Sequence, residues 1–155
     1  MAKLQVPVTA EDHIRGVAEA KVTLVEYGDF QCPHCKIADA VVKKLQRHFG
    51  TELRFVFRNF PLMEIHEMAE PAAEAAEFAA ANEKFWEMHD AIFNNQSKLS
   101  DATLVKLAEG LGLDGAEASA AVEEQRYGER IETDMAGRRG RGAWDADVLY
   151  QWRAV

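Results

Sequence analysis

Residues Val22 to Cys35 read VTLVEYGDFQCPHC and carry the strongest structural signal in the chain. The first six residues are largely apolar and β-branched, which predicts a short buried strand. Gly28 begins a turn, and an amphipathic helix is predicted to begin at Pro33, where the missing proline N–H is no loss. The order strand, turn, helix therefore places Cys32 at a helix N-terminus and Cys35 one turn further along.

The two cysteines are the only ones in the 155 residues, so the chain is not a disulfide-rich scaffold. They form either a reactive pair or part of a metal site. A helix N-terminus carries unpaired N–H groups and a partial positive charge, both of which favour a thiolate. We therefore predict that Cys32 is the exposed, attacking sulfur and that Cys35 can close a disulfide with it. His34 either adds positive charge beside the thiolate or is simply an exposed residue between them.

Composition sets limits on function. The chain is 48% hydrophobic and 28% charged, and its length predicts one domain over residues 1–155. The formal charge of −8 argues against a nucleic-acid binder, and we interpret the arginines at 138–141 as part of a solvated loop. No stretch could span a membrane, and the N-terminus lacks the apolar core of a signal peptide. These features predict a cytoplasmic protein, or a mature periplasmic or secreted form whose leader was removed.

The rest of the chain is predicted to be helical around a small sheet. A second strand over 53–58 follows the first helix, so the two strands should be parallel with a right-handed crossover. Ser100 and Asp114 are the expected N-caps of later helices, and the stripe containing Phe85 and Phe93 is expected to be core. The first helix has apolar residues at helical spacing, which predicts its buried face: Ile37, Val41, Val42, Leu45 and Phe49.

Four further histidines carry less information. His66 begins the pattern H-E-x-x-E, which lacks the second histidine of a zinc-protease motif, so we expect no metal there. His89 lies in an apolar helix and is expected to be packed or partly exposed. His13 and His48 are expected at the surface.

Three segments together resemble the DsbA-type thiol–disulfide oxidoreductases of the thioredoxin superfamily. They are residues 25–35 with C-P-H-C, the end of the second strand at 57–62, and residues 72–93 with K-F-W-E-M-H-D at 84–90. The similarity runs from about Val6 to about Asp134. It implies an α/β, thioredoxin-like fold in which a helical region, about 66–135, is inserted between strands.

The resemblance also implies roles for particular residues. Cys32 would be the nucleophilic sulfur, Cys35 the buried resolving sulfur, and Glu26 the buried acid beneath the disulfide. A carboxyl desolvated there has a raised pKa and can exchange a proton with Cys35; the alternative is a strand-end carboxylate bonded to water or backbone. In strongly oxidising relatives of this type the histidine at position 34 helps to stabilise the thiolate, and hence the reduced state.

The resemblance implies no organic cofactor and no resident metal. The implied partners are protein thiols or disulfides and a redox protein that recycles the cysteines.

The chain departs from the family after its helical region. The family carries a cis-proline on a loop facing the cysteines, whereas the four prolines here all precede residue 72. Residues 142–145 resemble the segment that comes after the family's last strand, and the tail at 148–152 suits either a closing helix or a strand. We therefore predict a sheet that is incomplete at its C-terminal side. Such a sheet has an exposed edge, which favours a homodimer or a domain swap.

These observations predict a thiol–disulfide oxidoreductase that exchanges the Cys32–Cys35 disulfide with protein thiols as an oxidant, or as a reductase in a reducing cytosol. Two alternatives remain open. One is a metal-binding module in which the two cysteines supply half of a zinc or iron–sulfur site. The other is a degenerate family member that keeps its helical surface for a binding partner.

Overall fold

The computed structural model describes residues 6–139 and, as backbone, 150–154. The strands in these ranges are β1 (His13–Arg15), β2 (Val22–Gly28), β3 (Leu53–Asn59) and β4 (Tyr150–Ala154). The α-helices are α1 (Pro33–Phe49), α2 (Ala69–Ala81), α3 (Phe85–Asn94), α4 (Asp101–Gly110), α5 (Gly115–Glu123) and α6 (Gly128–Arg139). Short 3-10 turns lie at Gly50–Glu52 and Gln96–Lys98. No helix in these ranges has the length and apolar character needed to cross a bilayer.

The strands form one sheet in the order β1-β3-β2-β4. β2 and β3 are parallel, from Val22 opposite Leu53 to Gly28 opposite Asn59, and α1 is the connection between them. β1 pairs antiparallel with β3, and β4 pairs antiparallel with β2. The two parallel strands are buried along nearly their whole length, as expected for strands covered on both faces. The predicted parallel pair is confirmed.

The sheet has two strands beyond the predicted pair. β1 is only three residues long, too short for an alternating pattern to reveal it. The tail forms β4, so of the two structures that suited it the strand is the one observed. Beyond β4 no further strand lies in the described ranges. The predictions that concern residues 140–149, including the resemblance at 142–145, lie outside the described residues.

The larger core lies on the α1 side of the sheet. Leu24, Phe55 and Phe57 point from β2 and β3 into a cluster that Met88 and Ile92 of α3 complete. The aromatic stripe of α3 joins the same cluster, which confirms it as core. A smaller cluster of Val25, Tyr27 and Val56 occupies the opposite face.

The predicted helix starts agree with the structure. The Ser100 side chain accepts a hydrogen bond from Thr103 N at 3.2 Å. Asp114 accepts from the amides of Ala116 and Glu117 at 2.8 and 3.1 Å. Such caps satisfy amides that the first turn of a helix leaves unpaired.

The buried face predicted for α1 is wrong in part. Ile37 and Val41 are 63% and 49% exposed, and Phe49 is also exposed. The buried residues are instead Cys35, Ala38, Asp39 and Val42. Because Cys35 packs against the sheet, the residues three, four and seven positions further along must face it too. This brings a carboxylate, Asp39, into the interior.

Side chains of the helical region clamp the edge strand β1. Trp86 Nε1 donates a hydrogen bond to the carbonyl of Ile14 at 3.1 Å, and the Arg15 guanidinium lies 4.5 Å from the centre of the Trp86 ring. The imidazole of His13 stacks on Phe85 with a centroid distance of 3.5 Å. Its Nε2 is 2.7 Å from Glu77, so His13 is half-buried and not, as predicted, at the surface. His48 is exposed, as predicted.

Replacement of Gly28 by alanine should lower the free energy of unfolding by about 1–3 kcal/mol, the usual result of overpacking. A Cβ atom there would overlap the ring of Phe57. Urea unfolding followed by circular dichroism measures the change. The matched control is Gly110→Ala, since nothing lies within 4 Å of a Cβ at Gly110. Equal stabilities for the two variants would contradict the close packing at Gly28.

Candidate functional site

The site lies where the parallel strands end. Gly28 and Asn59 are the last residues of β2 and β3 and are partners in the sheet, and the amide of Phe60 donates to the Gly28 carbonyl at 2.8 Å. From this edge the chain turns through residues 29–31 into α1. Cys32 is the N-cap of α1, with an extended backbone, and Pro33 follows at the first helical position. The predicted place of the cysteine pair at the start of a helix is therefore what the structure shows.

The two cysteines are unbonded and differ in depth. Cys35 is fully buried, and its Sγ accepts a hydrogen bond from the Asp29 amide at 3.5 Å. Cys32 is 7% exposed, less than predicted for an attacking sulfur. One reason lies in Gln96, whose Nε2 donates to the carbonyls of Phe30 and Cys32, both at 2.9 Å, and so holds the turn against the helical region. His34 is exposed on the first turn of α1.

Glu26 lies beneath the cysteines and is fully buried. It is on the same face of β2 as Leu24, toward α1. Among the described residues neither carboxyl oxygen has a hydrogen-bond partner, so no bond to the backbone fixes the carboxyl group. Loss of solvation, and then the charge of Asp39, raise the pKa of Glu26 to about 8. Glu26 therefore keeps its proton at neutral pH.

The buried thiol and the buried acid influence each other. Burial, and then the charge of Glu26, raise the pKa of the Cys35 thiol. Since a charge on either group disfavours a charge on the other, both groups favour their protonated forms. No hydrogen bond joins Glu26 to Cys35, so a proton would pass between them through a bridging water.

Behind Glu26 lies a row of charged groups that sequence reasoning missed. Asp39 Oδ2 is 2.8 Å from Lys43 Nζ, which is also 3.1 Å from Asp90. Asp90 accepts in addition from Arg15 at 3.2 Å and is 2.9 Å from His89 Nδ1. Burial lowers the pKa of His89, so its imidazole is neutral. Although partial burial opposes it, hydrogen bonds from His89 and Lys43 hold the pKa of Asp90 well below its usual range.

This row contains the one group of three possible metal ligands found in the described ranges. The ligand atoms of Asp39, His89 and Asp90 all lie within 4.8 Å of one another. The positive charges of Lys43 and Arg15 already face these carboxylates, so the group is an ion-pair cluster. In the same ranges neither cysteine belongs to such a group, which leaves a zinc site within one chain unsupported.

Asp29 organises the turn that carries Cys32, and sequence reasoning missed it as well. Its carboxylate is 2% exposed. One oxygen accepts from the amides of Gln31 and Cys32 at 2.8 and 3.2 Å. The other accepts from Leu62 N at 2.9 Å and is 2.8 Å from His66 Nδ1. An aspartate two residues before a turn amide is a known signature of this bond, and that signal was present in the sequence.

A protein-family model described as Thioredoxin matches residues 8–142, most of the chain. The chain belongs to the thioredoxin family. Its similarity to curated relatives covers nearly the same region. It is 44% identical over 135 residues to the Na(+)/H(+) antiporter NhaA 1 of Salinispora arenicola, a match that covers 86% of this chain and 21% of that protein. It is 42% identical over 146 residues to NhaA 3 of Salinispora tropica, covering 94% of this chain and 20% of that protein. This thioredoxin-family chain thus spans about a fifth of the length of these relatives.

Solved structures show the same fold. BdbD from Bacillus subtilis, in its oxidised form, has a TM-score of 0.76 at 22% identity and covers 86% of this chain and 77% of its own. The thiol-disulfide exchange protein alpha-DsbA2 from Wolbachia pipientis has a TM-score of 0.70 at 20% identity, and the match covers 87% of this chain and 74% of that protein. A thioredoxin-like oxidoreductase from Silicibacter pomeroyi has a TM-score of 0.68 at 27% identity, and the match covers 83% of this chain and 72% of that protein. The predicted thioredoxin-like fold of DsbA type is confirmed.

Replacement of Glu26 by glutamine should stabilise the protein, and more so as the pH rises. In the unfolded chain Glu26 ionises near its ordinary pKa of 4.5, whereas in the folded chain it stays protonated to about 8. The unfolded state therefore binds fewer protons between these values, and wild-type stability falls across them. At pH 7.5 the variant should exceed wild type by about 2–4 kcal/mol, and at pH 4 the two should agree.

Urea unfolding at a series of pH values measures this difference. The control is Glu52→Gln, at an exposed glutamate that pairs with Lys21. The free energy of unfolding of this variant should depend on pH in the same way as that of the wild type. Parallel curves for wild type and Glu26→Gln would show that Glu26 does not hold a proton in the folded protein.

Proposed function

We propose that this chain is a thiol–disulfide oxidoreductase that acts through Cys32 and Cys35 as an oxidant of protein thiols. The observation that carries the proposal is the placement of a proton-holding acid, Glu26, beside a buried thiol at the start of α1. Family membership and the fold of its solved neighbours agree with this class of reaction.

The first step transfers the disulfide to the substrate. A substrate thiolate attacks Cys32 Sγ, the bond between Cys32 and Cys35 breaks, and a mixed disulfide forms. Cys35 leaves as a thiolate in a site that disfavours its charge, because the sulfur is fully buried. The proton of Glu26 can therefore pass to this sulfur through a bridging water, since no hydrogen bond joins the two groups.

The second step releases the oxidised substrate. A second substrate thiolate attacks the substrate sulfur of the mixed disulfide, and Cys32 leaves as a thiolate. The N-terminal amides of α1 favour this charge, and the exposed His34 beside it adds a positive charge when protonated. Two electrons have then moved from the substrate to the enzyme. A redox partner that removes them restores the disulfide.

We also propose that residues 1–155 form one domain with the helical insertion at about 66–135. The compartment follows from the direction of exchange. A disulfide donor works in the periplasm or outside the cell, and a reductase works in the cytoplasm.

The curated relatives suggest a second feature, a membrane-protein substrate. Each of those antiporters includes a region similar to this chain within a much longer protein. We propose that an ion antiporter is one partner on whose cysteines this chain acts.

Cys32→Ser should abolish thiol exchange. Cys35→Ser should accumulate mixed disulfides with a peptide that carries a disulfide, because Cys32 attacks that disulfide and the sulfur that would release the peptide is missing. Non-reducing electrophoresis and mass spectrometry measure both results. The same trap, applied in membranes that contain the antiporter, tests the second feature by whether the antiporter is captured. Exchange that survives Cys32→Ser would exclude the proposed reaction, and a biological role that survives this change would favour a role in binding a partner.

The reduced protein should be more stable to urea than the oxidised protein, since a strong disulfide donor is stabilised in its reduced form. His34→Ser should reduce this difference by about 1.4 kcal/mol, which corresponds to about 30 mV. The control is His48→Ser, at an exposed histidine near the other end of α1, and it should leave the difference unchanged. A more stable oxidised form would instead indicate a reductant or a structural bond.

A further inference from the structure

His66 is bound to the same carboxylate that holds the Cys32 turn. Asp29 bonds the Cys32 amide through one oxygen and His66 Nδ1 through the other, at 3.2 and 2.8 Å. The H-E-x-x-E pattern that His66 begins does not lie on one helix, because α2 starts only at Ala69. The histidine therefore belongs to the cysteine site and not to a metal motif.

The loop that carries His66 is fixed to the Cys32 turn by two further bonds. Leu62 N donates to Asp29 at 2.9 Å, and Met68 N donates to the side chain of Gln31 at 2.7 Å. Together with the His66 bond, these attach both ends of the loop to the residues just before Cys32. The position of His66 relative to the turn is thus set by the fold.

The bond to Asp29 also sets the tautomer of His66. Because the oxygen that His66 contacts already accepts from Leu62 N and a carboxylate can only accept, the hydrogen must be on Nδ1. In the neutral imidazole this leaves Nε2 as an acceptor. Asp29 binds one nitrogen of the His66 ring at 2.8 Å, and the side chain is 18% exposed, so part of the ring reaches solvent.

We propose that His66, oriented by Asp29, accepts the proton of the substrate thiol that attacks Cys32; this inference rests on the proposed function. Nε2 takes the proton from the substrate S–H, and the resulting thiolate attacks Cys32 Sγ. The bond to Cys35 breaks, and Cys35 receives the proton of Glu26. His66 then returns its proton to solvent. A base held by a buried carboxylate is the usual arrangement for such a transfer.

The decisive variant is His66→Ala, tested by the rates of thiol exchange with glutathione in both directions. A proton acceptor lowers the barrier in both directions equally, so both rates should fall about tenfold or more while the equilibrium constant stays the same. Free imidazole should restore part of the rate, because it can occupy the vacated space. A residue with a purely structural role would shift the equilibrium or fail to respond to imidazole.

Two other variants keep the test decisive. His48→Ala, at an exposed histidine away from the site, should exchange at the wild-type rate with or without imidazole. Asp29→Asn should also slow both directions, because both carboxylate oxygens face donors and an asparagine would turn its NH2 group toward one of these pairs, but imidazole should not help it. If circular dichroism shows that His66→Ala is poorly folded, His66→Gln takes its place. Both exchange rates should then fall while the equilibrium constant stays the same.

The outcomes separate the inference from the proposed function. Wild-type protein that does not exchange thiols would end the proposed function and this inference with it. Active wild type together with unchanged rates in His66→Ala, a changed equilibrium constant, or no response to imidazole would overturn the role of His66 alone.

Discussion

The parallel pairing of β2 with β3 is the interaction on which the other features of the site depend. Because both strands run in one direction and end opposite each other, the turn after Gly28 and the loop after Asn59 leave the sheet at the same edge. A single carboxylate, Asp29, can then bond to both segments. α1, the crossover between the strands, begins at this edge, so its N-terminus and Cys32 lie there as well. The same pairing places Glu26 in the middle of the sheet, where it is fully buried.

The interior beneath the cysteines contains buried polar groups that lack hydrogen-bond partners among the described residues. Within the described part of the chain Glu26 has no hydrogen-bond partner, and one oxygen of Asp39 also has none. Unpaired buried polar groups are destabilising, so their presence marks a region that serves chemistry and not stability. Lys43 and Arg15 limit the destabilisation by facing Asp39 and Asp90. The aromatic core around His89 keeps this charge cluster separated from water on its inner side.

Much of the fold was predictable because its signals are local. The strand before Cys32, the helix after it and the N-caps Ser100 and Asp114 follow from periodicity and capping. The face of α1 was not predictable from its large apolar residues, since the sheet buries the face defined by Cys35, and Ile37 and Val41 remain outside it. The roles of Asp29 and His66 depend on a contact between segments 37 positions apart. Such a contact leaves no periodic pattern, so only the folded chain reveals it.

The clamp on β1 gives the sheet two unlike edges. Trp86 donates a hydrogen bond to the carbonyl oxygen of Ile14, and Arg15 lies over the Trp86 ring. The β1 edge therefore has few free backbone groups with which another strand could form hydrogen bonds. On the other side β4 has no neighbouring strand among the described residues. A chain with two open edges can polymerise without limit, because each added copy presents a new edge. A chain with one open edge stops at a pair related by a two-fold axis. The β1 clamp thus acts against strand-to-strand association at its own edge of the sheet.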